Sequence, residues 1–268
     1  MTAHPALHKL TKISRYWRAR LRPAHMVPMF WHIGRPNFGD DFNPALFEAL
    51  TGMPIRLIRD RSVPHFLGMG SIADKATEAS TILGAGLITP APPVARPRRI
   101  IALRGALSQN LLAADAQVLL GDPMVLIDRL VRAAPEIAIG FVPHVSSVCL
   151  AARIAPPDLL IIDPGKAPWQ VIRDIARCRR IISQSLHGLI VADALAIPNL
   201  WVAPSAKMTG GRFKFDDYFT TLDAAKTPHE LTRDLLHSPP AGAFSVGHYR
   251  GDKAAYHARL THALREGP

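Results

Sequence analysis

The chain has 268 residues, of which 48% are hydrophobic and 20% are charged. This is enough apolar material to bury a core, which excludes a disordered or fibrous protein. Lys and Arg number 32 against 21 Asp and Glu, and the resulting charge of +11 favours phosphates, anionic lipids or acidic polymers as partners. Two cysteines, Cys149 and Cys178, are too few for a disulfide framework and indicate a reducing, cytoplasmic compartment.

The N-terminal segment, residues 1–23, is predicted to be a basic amphipathic unit without acidic residues. Its apolar residues recur at helical spacing, at Leu7, Leu10, Ile13, Trp17 and Leu21. Three interpretations stay open: a solvated helix docked on its own domain, an in-plane helix on an anionic membrane surface, and a transit peptide. The second interpretation predicts a cytoplasmic protein held peripherally on the inner membrane. No uninterrupted apolar run reaches the length of a membrane span.

Short apolar runs then alternate with helical patterns. The first strand is predicted over 29–33, and Asn43-Pro44 begins a helix that ends at Gly52. Four buried strands and two helices follow before a joint at Ala134-Pro135; the strands are predicted over 66–69, 81–83, 100–103 and 118–120, and the helices over 107–114 and 124–133.

A second alternation has strands over 137–142, 159–162, 180–183 and 199–203, with helices over 145–153, 169–178 and 186–196 between them. Strand–helix–strand repetition builds parallel sheets covered by helices. The predicted fold class is therefore α/β, with two Rossmann-like parallel-sheet halves. The expected units are an N-terminal α/β domain over 24–134, a C-terminal α/β domain over 135–225 and closing helices within 226–268.

The loops that follow the strands hold the candidate site, because ligands of open parallel sheets bind at the carboxyl ends of strands. The loop over 34–41 offers Asn37, Gly39 and Asp40, although it could equally be a turn into the next helix. Arg104-Gly105 places a cation at the end of a buried strand. Such an arginine either reaches solvent or binds an anion.

Two further loops begin helices. Gly121-Asp122-Pro123 is typical of a helix start, with Asp122 as the N-cap. The run over 183–188 joins a strand to an apolar helix, with Ser185 as N-cap and His187 in the first turn. Free N–H groups and the positive end of the helix dipole make this an anion site. His187 is either a proton-exchanging ligand-binding group or a core histidine hydrogen-bonded to a carbonyl.

No motif predicts a metal or an organic cofactor. His144 and Cys149 lack a second pair at ligand spacing, and neither a P-loop nor a G-x-S-x-G elbow occurs. Despite the basic charge, no nucleic-acid partner is expected, because aromatic residues make up 7% of the chain and do not alternate with basic ones.

In their order, these loops resemble the polysaccharide pyruvyl transferase family from about Phe30 to Leu222. The motifs that carry the resemblance are Asn37-Phe38-Gly39-Asp40, Gly68-Met69-Gly70-Ser71, Gly84-Ala85-Gly86, Arg104-Gly105-Ala106-Leu107-Ser108, Gly121-Asp122-Pro123, Pro143-His144, Ser183-x-Ser185-Leu186-His187-Gly188 and Lys214-Phe215-Asp216-Asp217-Tyr218. One departure is Ser185, which stands where many members of the family have an arginine.

The resemblance implies a fold similar to the GT-B glycosyltransferases. It also implies transfer of an enolpyruvyl-derived group from phosphoenolpyruvate to a hydroxyl pair of a bacterial polysaccharide or its precursor, forming a pyruvate ketal without a cofactor. The acceptor saccharide is either free or lipid-linked. Three alternatives stay open: a GT-B-type glycosyltransferase that uses a nucleotide sugar, a non-catalytic glycan-binding relative in which Ser185 marks a lost donor site, and a nucleic-acid-binding module. The last is the least favoured and is supported by the charge of +11 alone.

Under this resemblance each candidate residue has an expected role. His187 is the first choice for the general acid and His144 the second, while Asp40 is the base or stabilises the developing cation. The donor carries a carboxylate and a phosphate and needs two cationic pockets. The expected substrate-binding residues are Asn37, Gly39, Arg104, Ser185, Gly188, Arg212 and Lys214.

Overall fold

The computed structural model describes residues 26–268 except 92, 94 and 207, and it contains two sheets whose strand pairs are all parallel. The N-terminal segment 1–23 lies outside the described residues. The first sheet has the order β2-β1-β3-β4-β5-β6, with β1 Val27–Phe30, β2 Ile55–Leu57, β3 His65–Leu67, β4 Ser80–Leu83, β5 Arg99–Leu103 and β6 Leu119–Leu120.

Three helices and two 3₁₀ turns accompany the first sheet: α1 Phe38–Asp41, α2 Asn43–Thr51, α3 Ala106–Leu111, and the 3₁₀ turns Ala73–Lys75 and Pro123–Arg129. The helix predicted to end at Gly52 does so, with Gly52 in the left-handed region at φ 71°. Asp122 caps the second 3₁₀ turn as predicted, because its Oδ1 accepts the N–H of Met124 at 2.9 Å.

The second sheet has the order β10-β9-β7-β8, with β7 Ile137–Val142, β8 Leu160–Ile161, β9 Cys178–Ser183 and β10 Asn199–Trp201. Its helices are α4 Val148–Ile154, α5 Pro168–Ala176 and α6 Leu186–Ala194, followed by α7 Phe213–Phe219, α8 Arg233–His237, a 3₁₀ turn Ala241–Ala243 and α9 Lys253–Glu266. The prediction of an α/β protein with two parallel-sheet halves is confirmed.

Both sheets reverse their strand order at the same place. In each one, the first strand pairs with the second strand on one side and with the third strand on the other, as β1 does with β2 and β3 and as β7 does with β8 and β9. Parallel sheets open a crevice at such a point, beyond the carboxyl ends of the strands. The topology therefore predicts a ligand site among the loops that follow β1, β3, β7 and β9.

The two halves share a core. One apolar cluster runs from Met29 and Phe47 in the first half to Val142 and Ile190 in the second. The chain also crosses back at its end, since α9 packs on the first half and the hydroxyl of Tyr256 donates to the carbonyl of Gly121 at 2.6 Å. In the part of the chain that the structure describes, no helix is long and apolar enough to cross a membrane.

Candidate active site

A cavity of about 340 Å³ lies where the two switch points face each other. The loops after β1, β3, β7 and β9 all contribute to its wall, as the topology predicts. Six residues proposed from the sequence line this cavity together: Asn37, Asp40, His144, Ser185, His187 and Lys214. Residues that are far apart in the chain are thus brought to one site by the two parallel sheets.

His187 lies in the first turn of α6, and its ring is 7% exposed. Ser185 is the N-cap of α6 as predicted, but its side chain accepts no bond from the helix amides and lines the cavity instead. The ring of His187 lies between two elements of the first half. On one side, a Cβ added to Gly39 would be 1.8 Å from His187 Nδ1, and on the other side Asp122 Oδ2 is 3.6 Å from Nε2.

The carboxylate of Asp40 is held at the cavity wall by its neighbours. Asn37 Nδ2 donates to Asp40 Oδ2 at 3.1 Å. Asn43 Nδ2 donates to the carbonyls of Asp40 and Met69, at 3.0 and 3.1 Å, and so ties α1 to the loop after β3. Gly70 in that loop has φ 112°, and a Cβ there would be 3.0 Å from Asp40 Oδ1.

Lys214 forms the cationic end of the cavity, close enough to His144 to affect its charge. Burial and the nearby Arg104 guanidinium lower the pKa of Lys214 to about 8, so its ammonium is mostly charged at pH 7. Burial, Lys214 and Arg35 lower the pKa of His144 to about 4. Its Nδ1 lies 2.7 Å from the hydroxyl of Ser146. At neutral pH His144 is therefore an uncharged hydrogen-bonding group, which favours His187 as the proton donor.

Arg104 is not placed as the sequence analysis expected. Its side chain is fully buried, and its Nε and Nη2 lie 3.0 and 2.9 Å from Asp217 Oδ2. Its Nη1 donates to Ser71 Oγ at 2.7 Å, and Ser71 lines the cavity. Arg104 was expected to bind a substrate anion, but it forms an internal ion pair with Asp217 because the strand end that carries it is covered by α7.

Three other expected binding residues are not among those lining the cavity in the described part of the chain: Gly39, which packs against His187, and Arg212 and Gly188. Arg212 is exposed, where its Nε and Nη2 bond both oxygens of Asp216 at 3.2 and 3.1 Å and its guanidinium lies over the Trp201 ring. Gly188 is buried against β7 and β9: a Cβ there would be 2.4 Å from Ser183 Oγ, so its role in this structure is close packing.

The proximity of Asp122 to His187 was not predicted. The capping role of Asp122 was predicted and is fulfilled by Oδ1, whereas Oδ2 of the same carboxylate lies 3.6 Å from His187 Nε2. No local pattern could reveal it, because the contact exists only after the 3₁₀ turn Pro123–Arg129 packs against α6. Among the residues that the structure describes, no cluster of three or more His, Cys, Asp or Glu is arranged to hold a metal ion.

Comparison with known proteins places these residues in a family context. Residues 100–205 match the family model described as polysaccharide pyruvyl transferase, a span that includes Asp122, His144, Ser185 and His187. The succinoglycan biosynthesis protein ExoV of Rhizobium meliloti is 28% identical over 220 residues, which cover 77% of this chain and 68% of that protein.

Two further similarities were found. A protein of Acanthamoeba polyphaga mimivirus is 28% identical over 217 residues, which cover 75% of this chain and 76% of the viral protein. A crystal structure of a Klebsiella pneumoniae protein superposes with a TM-score of 0.45 and 11% identity, covering 87% of this chain and 100% of that chain. The resemblance carried by the motifs is confirmed by the family match and the ExoV relative: the chain is a transferase similar to the polysaccharide pyruvyl transferases.

Proposed function

We propose that this protein transfers a pyruvyl group from phosphoenolpyruvate to two hydroxyls of a saccharide acceptor, forming a pyruvate ketal on a polysaccharide or its precursor. The observation that best supports this proposal is that one cavity is lined by groups suited to bind an anion, by a histidine and by a carboxylate, contributed by both halves of the protein. The match to the polysaccharide pyruvyl transferase model and the similarity to a succinoglycan biosynthesis protein support this choice.

The donor would bind at the cationic end of the cavity. Lys214 offers a charged ammonium, and the first turn of α6 offers N–H groups that have no acceptor within the helix. The hydroxyl of Ser185, which does not cap the helix, adds a hydrogen-bond donor. By the resemblance of the motifs, this is the place where many members of the family have an arginine. At about 340 Å³ the cavity falls at the lower end of the size usual for small-molecule sites.

The chemistry follows from His187 and Asp40, which line the same cavity. His187 gives a proton to the vinyl carbon of phosphoenolpyruvate, and an acceptor hydroxyl attacks the adjacent carbon as positive charge develops there. Asp40 takes the proton of that hydroxyl or stabilises the positive charge. A second acceptor hydroxyl then attacks the same carbon, and the bond between that carbon and the phosphate oxygen breaks. The proton of this hydroxyl goes to the departing phosphate, so hydrogen phosphate leaves as the ketal closes. His144, uncharged at neutral pH, would hydrogen-bond the donor.

The acceptor and the cellular place of the reaction stay predictions. The acceptor is a free or lipid-linked saccharide. Binding to an anionic membrane surface would depend on residues 1–23, outside the described part of the chain, and a cytoplasmic location is expected from the cysteine content.

Calorimetric titration with phosphoenolpyruvate tests the proposed donor, with UDP as the competing ligand. We expect phosphoenolpyruvate to bind and UDP to remain silent. His187→Ala should weaken phosphoenolpyruvate binding and abolish phosphate release in the presence of acceptor. His262→Ala, which removes a largely exposed histidine of α9, is the matched control and should behave as wild type.

The other outcomes identify the alternatives. Binding of UDP alone would make the protein a GT-B-type glycosyltransferase. If neither ligand binds, with or without a succinoglycan oligosaccharide present, the pyruvyl transfer proposal is wrong and a glycan-binding role is favoured.

A further inference from the structure

Two buried polar atoms on opposite sides of the domain junction face each other without a hydrogen-bond partner. They are Asp122 Oδ2 and His187 Nε2, and the distance between them is 3.6 Å. Asp122 is completely buried and His187 is 7% exposed. A buried carboxylate oxygen without a hydrogen bond costs free energy. The position of Asp122 Oδ2 next to an imidazole nitrogen therefore indicates a function for the contact.

The cap geometry of Asp122 fixes where its second oxygen points. Oδ1 accepts the N–H of Met124 at 2.9 Å, and Pro123 occupies the first position of the 3₁₀ turn. With one oxygen held by the backbone, the carboxylate cannot turn away from the ring. The turn packs against α6, the helix that carries His187, so the two groups are held by packed elements rather than by mobile loops.

The opposite side of the ring packs against Gly39 at the edge of the cavity, which His187 lines. The ring occupies the space that a side chain at position 39 would fill, since a Cβ there would lie 1.8 Å from Nδ1. The Phe38 ring meets the imidazole edge-on, with the ring centres 6.2 Å apart. The two ring nitrogens therefore have different environments: Nε2 faces a carboxylate, and Nδ1 faces α1 beside the cavity.

We propose that Asp122 is a positioning residue for His187: its Oδ2 accepts the Nε2–H of the imidazole, which fixes that tautomer and leaves Nδ1 as the nitrogen that exchanges a proton with the substrate. The catalytic use of this pair rests on the proposed function, whereas the assignment of the His187 tautomer does not depend on it. The gap of 3.6 Å is longer than a hydrogen bond, and such contacts commonly tighten when a ligand fills the site.

The proton balance of this arrangement closes. The imidazolium carries a proton on each nitrogen and gives the Nδ1 proton to the vinyl carbon of the donor. The neutral ring that remains is the Nε2–H tautomer, which still donates to Asp122, so Asp122 itself is not protonated at any step. The proton lost by the attacking acceptor hydroxyl returns to Nδ1, directly or by way of Asp40.

Nitrogen-15 NMR of the imidazole rings tests the proposal on the ligand-free protein. Spectra are recorded at a pH that leaves the rings neutral, and His187→Ala assigns the signal. We expect the Nε2–H tautomer in the wild type. In Asp122→Asn the amide oxygen keeps the cap and the amide NH₂ faces Nε2, so the ring should change to the Nδ1–H tautomer. Asp122→Ser keeps a capping oxygen without a carboxylate and should give a mixture of tautomers.

Kinetics supply the second readout. Asp122→Asn should lower kcat by about 100-fold or more, as expected when a general acid is held in the wrong tautomer, while the Kd for phosphoenolpyruvate stays within about threefold of wild type. A wild-type ring in the Nδ1–H form, or an Asp122→Asn protein with unchanged tautomer and kcat, would overturn the proposal. If the tautomers change as expected but the wild type does not turn over phosphoenolpyruvate, the positioning role stands and the proposed function fails.

Discussion

Lys214 is a cavity residue whose pKa is strongly lowered by its surroundings. A lysine in water is protonated throughout the physiological range, but burial and the repulsion of Arg104 bring the pKa of Lys214 down to about 8, against an opposing attraction by Asp40. An anion that binds next to this group needs the ammonium form. The affinity of the site for an anion should therefore decrease as the pH rises through 8.

This gives a prediction for the pH dependence of donor binding. Because only the protonated fraction binds well, the Kd for phosphoenolpyruvate should rise about tenfold between pH 7 and pH 9. Neither the donor phosphate nor His144 changes charge over that range, since the second phosphate pKa is near 6 and the pKa of His144 is about 4. Calorimetry at pH 7, 8 and 9 measures the effect.

Lys214→Arg is the matched control, because a guanidinium stays charged at all three values. Its Kd should be nearly constant with pH. A wild-type Kd that does not change between pH 7 and pH 9 would show that Lys214 does not contact the donor.

At the scale of elements, one buried ion pair joins β5, α3 and α7. Arg104 at the end of β5 bonds the Asp217 carboxylate of α7, and Asp217 also accepts the N–H and the hydroxyl of Ser108 of α3, at 2.8 and 2.7 Å. A Cβ on Gly105 would lie 1.8 Å from the carbonyl oxygen of Asp217, so glycine is needed for this close approach. The family motifs at 104–108 and 214–218 thus meet in one structural cluster.

The role of this ion pair in stability can be measured. Asp217→Asn and Arg104→Met should each lower the free energy of unfolding by about 3–5 kcal/mol, because each leaves one buried charge without its partner. The double variant should lose less than the sum of the two. Urea denaturation of the single and double variants gives this double-mutant cycle.

The neighbouring residue provides the control. Asp216 pairs with Arg212 at the surface of the same helix, where water screens the interaction, so Asp216→Asn should change stability much less than Asp217→Asn. Equal losses for the two aspartates would contradict the assignment of Arg104 and Asp217 as a buried structural pair.

At the scale of the whole molecule, α1 is where the two halves touch at the site. The N–H of Phe38 donates to the carbonyl of Pro164 at 2.8 Å, and the rings of Phe42 and Trp169 meet edge-on with centres 4.7 Å apart. Gly39 lies between these contacts and approaches His187. The two halves therefore approach each other closely at Gly39, which has no side chain.

Gly39→Ala tests this contact. The added methyl must displace either α1 or the His187 ring, so kcat should fall by about 100-fold, as small displacements of catalytic groups do. Gly242→Ala adds a methyl where no atom lies within 4 Å and should leave kcat unchanged. Steady-state kinetics measures kcat for both variants. In a protein that already carries His187→Ala, the Gly39→Ala change should lower kcat little further. Full activity of Gly39→Ala would show that the ring does not need its observed position.

Predicted strands and helices agree with the structure where the local sequence pattern is strong. The strand predicted over 137–142 and the start of the helix at 186 agree with β7 and α6, because long apolar runs flanked by clear boundary residues are decided locally. The strand β2 was missed because it has three residues, and α1 because a single turn carries no periodicity. The segment 124–133 was predicted as an α-helix, whereas the structure has a shorter 3₁₀ turn there, at Pro123–Arg129.

The sequence alone determined the alternation that makes two parallel sheets, and it placed four of the cavity residues, Asn37, Asp40, Ser185 and His187, in loops after strands, while His144 and Lys214 came from the family resemblance. It could do so because hydrophobic period and helix boundaries are properties of neighbouring residues. Only the tertiary structure decided that Arg104 pairs with Asp217, that Arg212 is at the surface, and that Asp122 faces His187. These contacts join residues far apart in the chain, and their partners are chosen by how helices pack on the sheets, which no local pattern encodes.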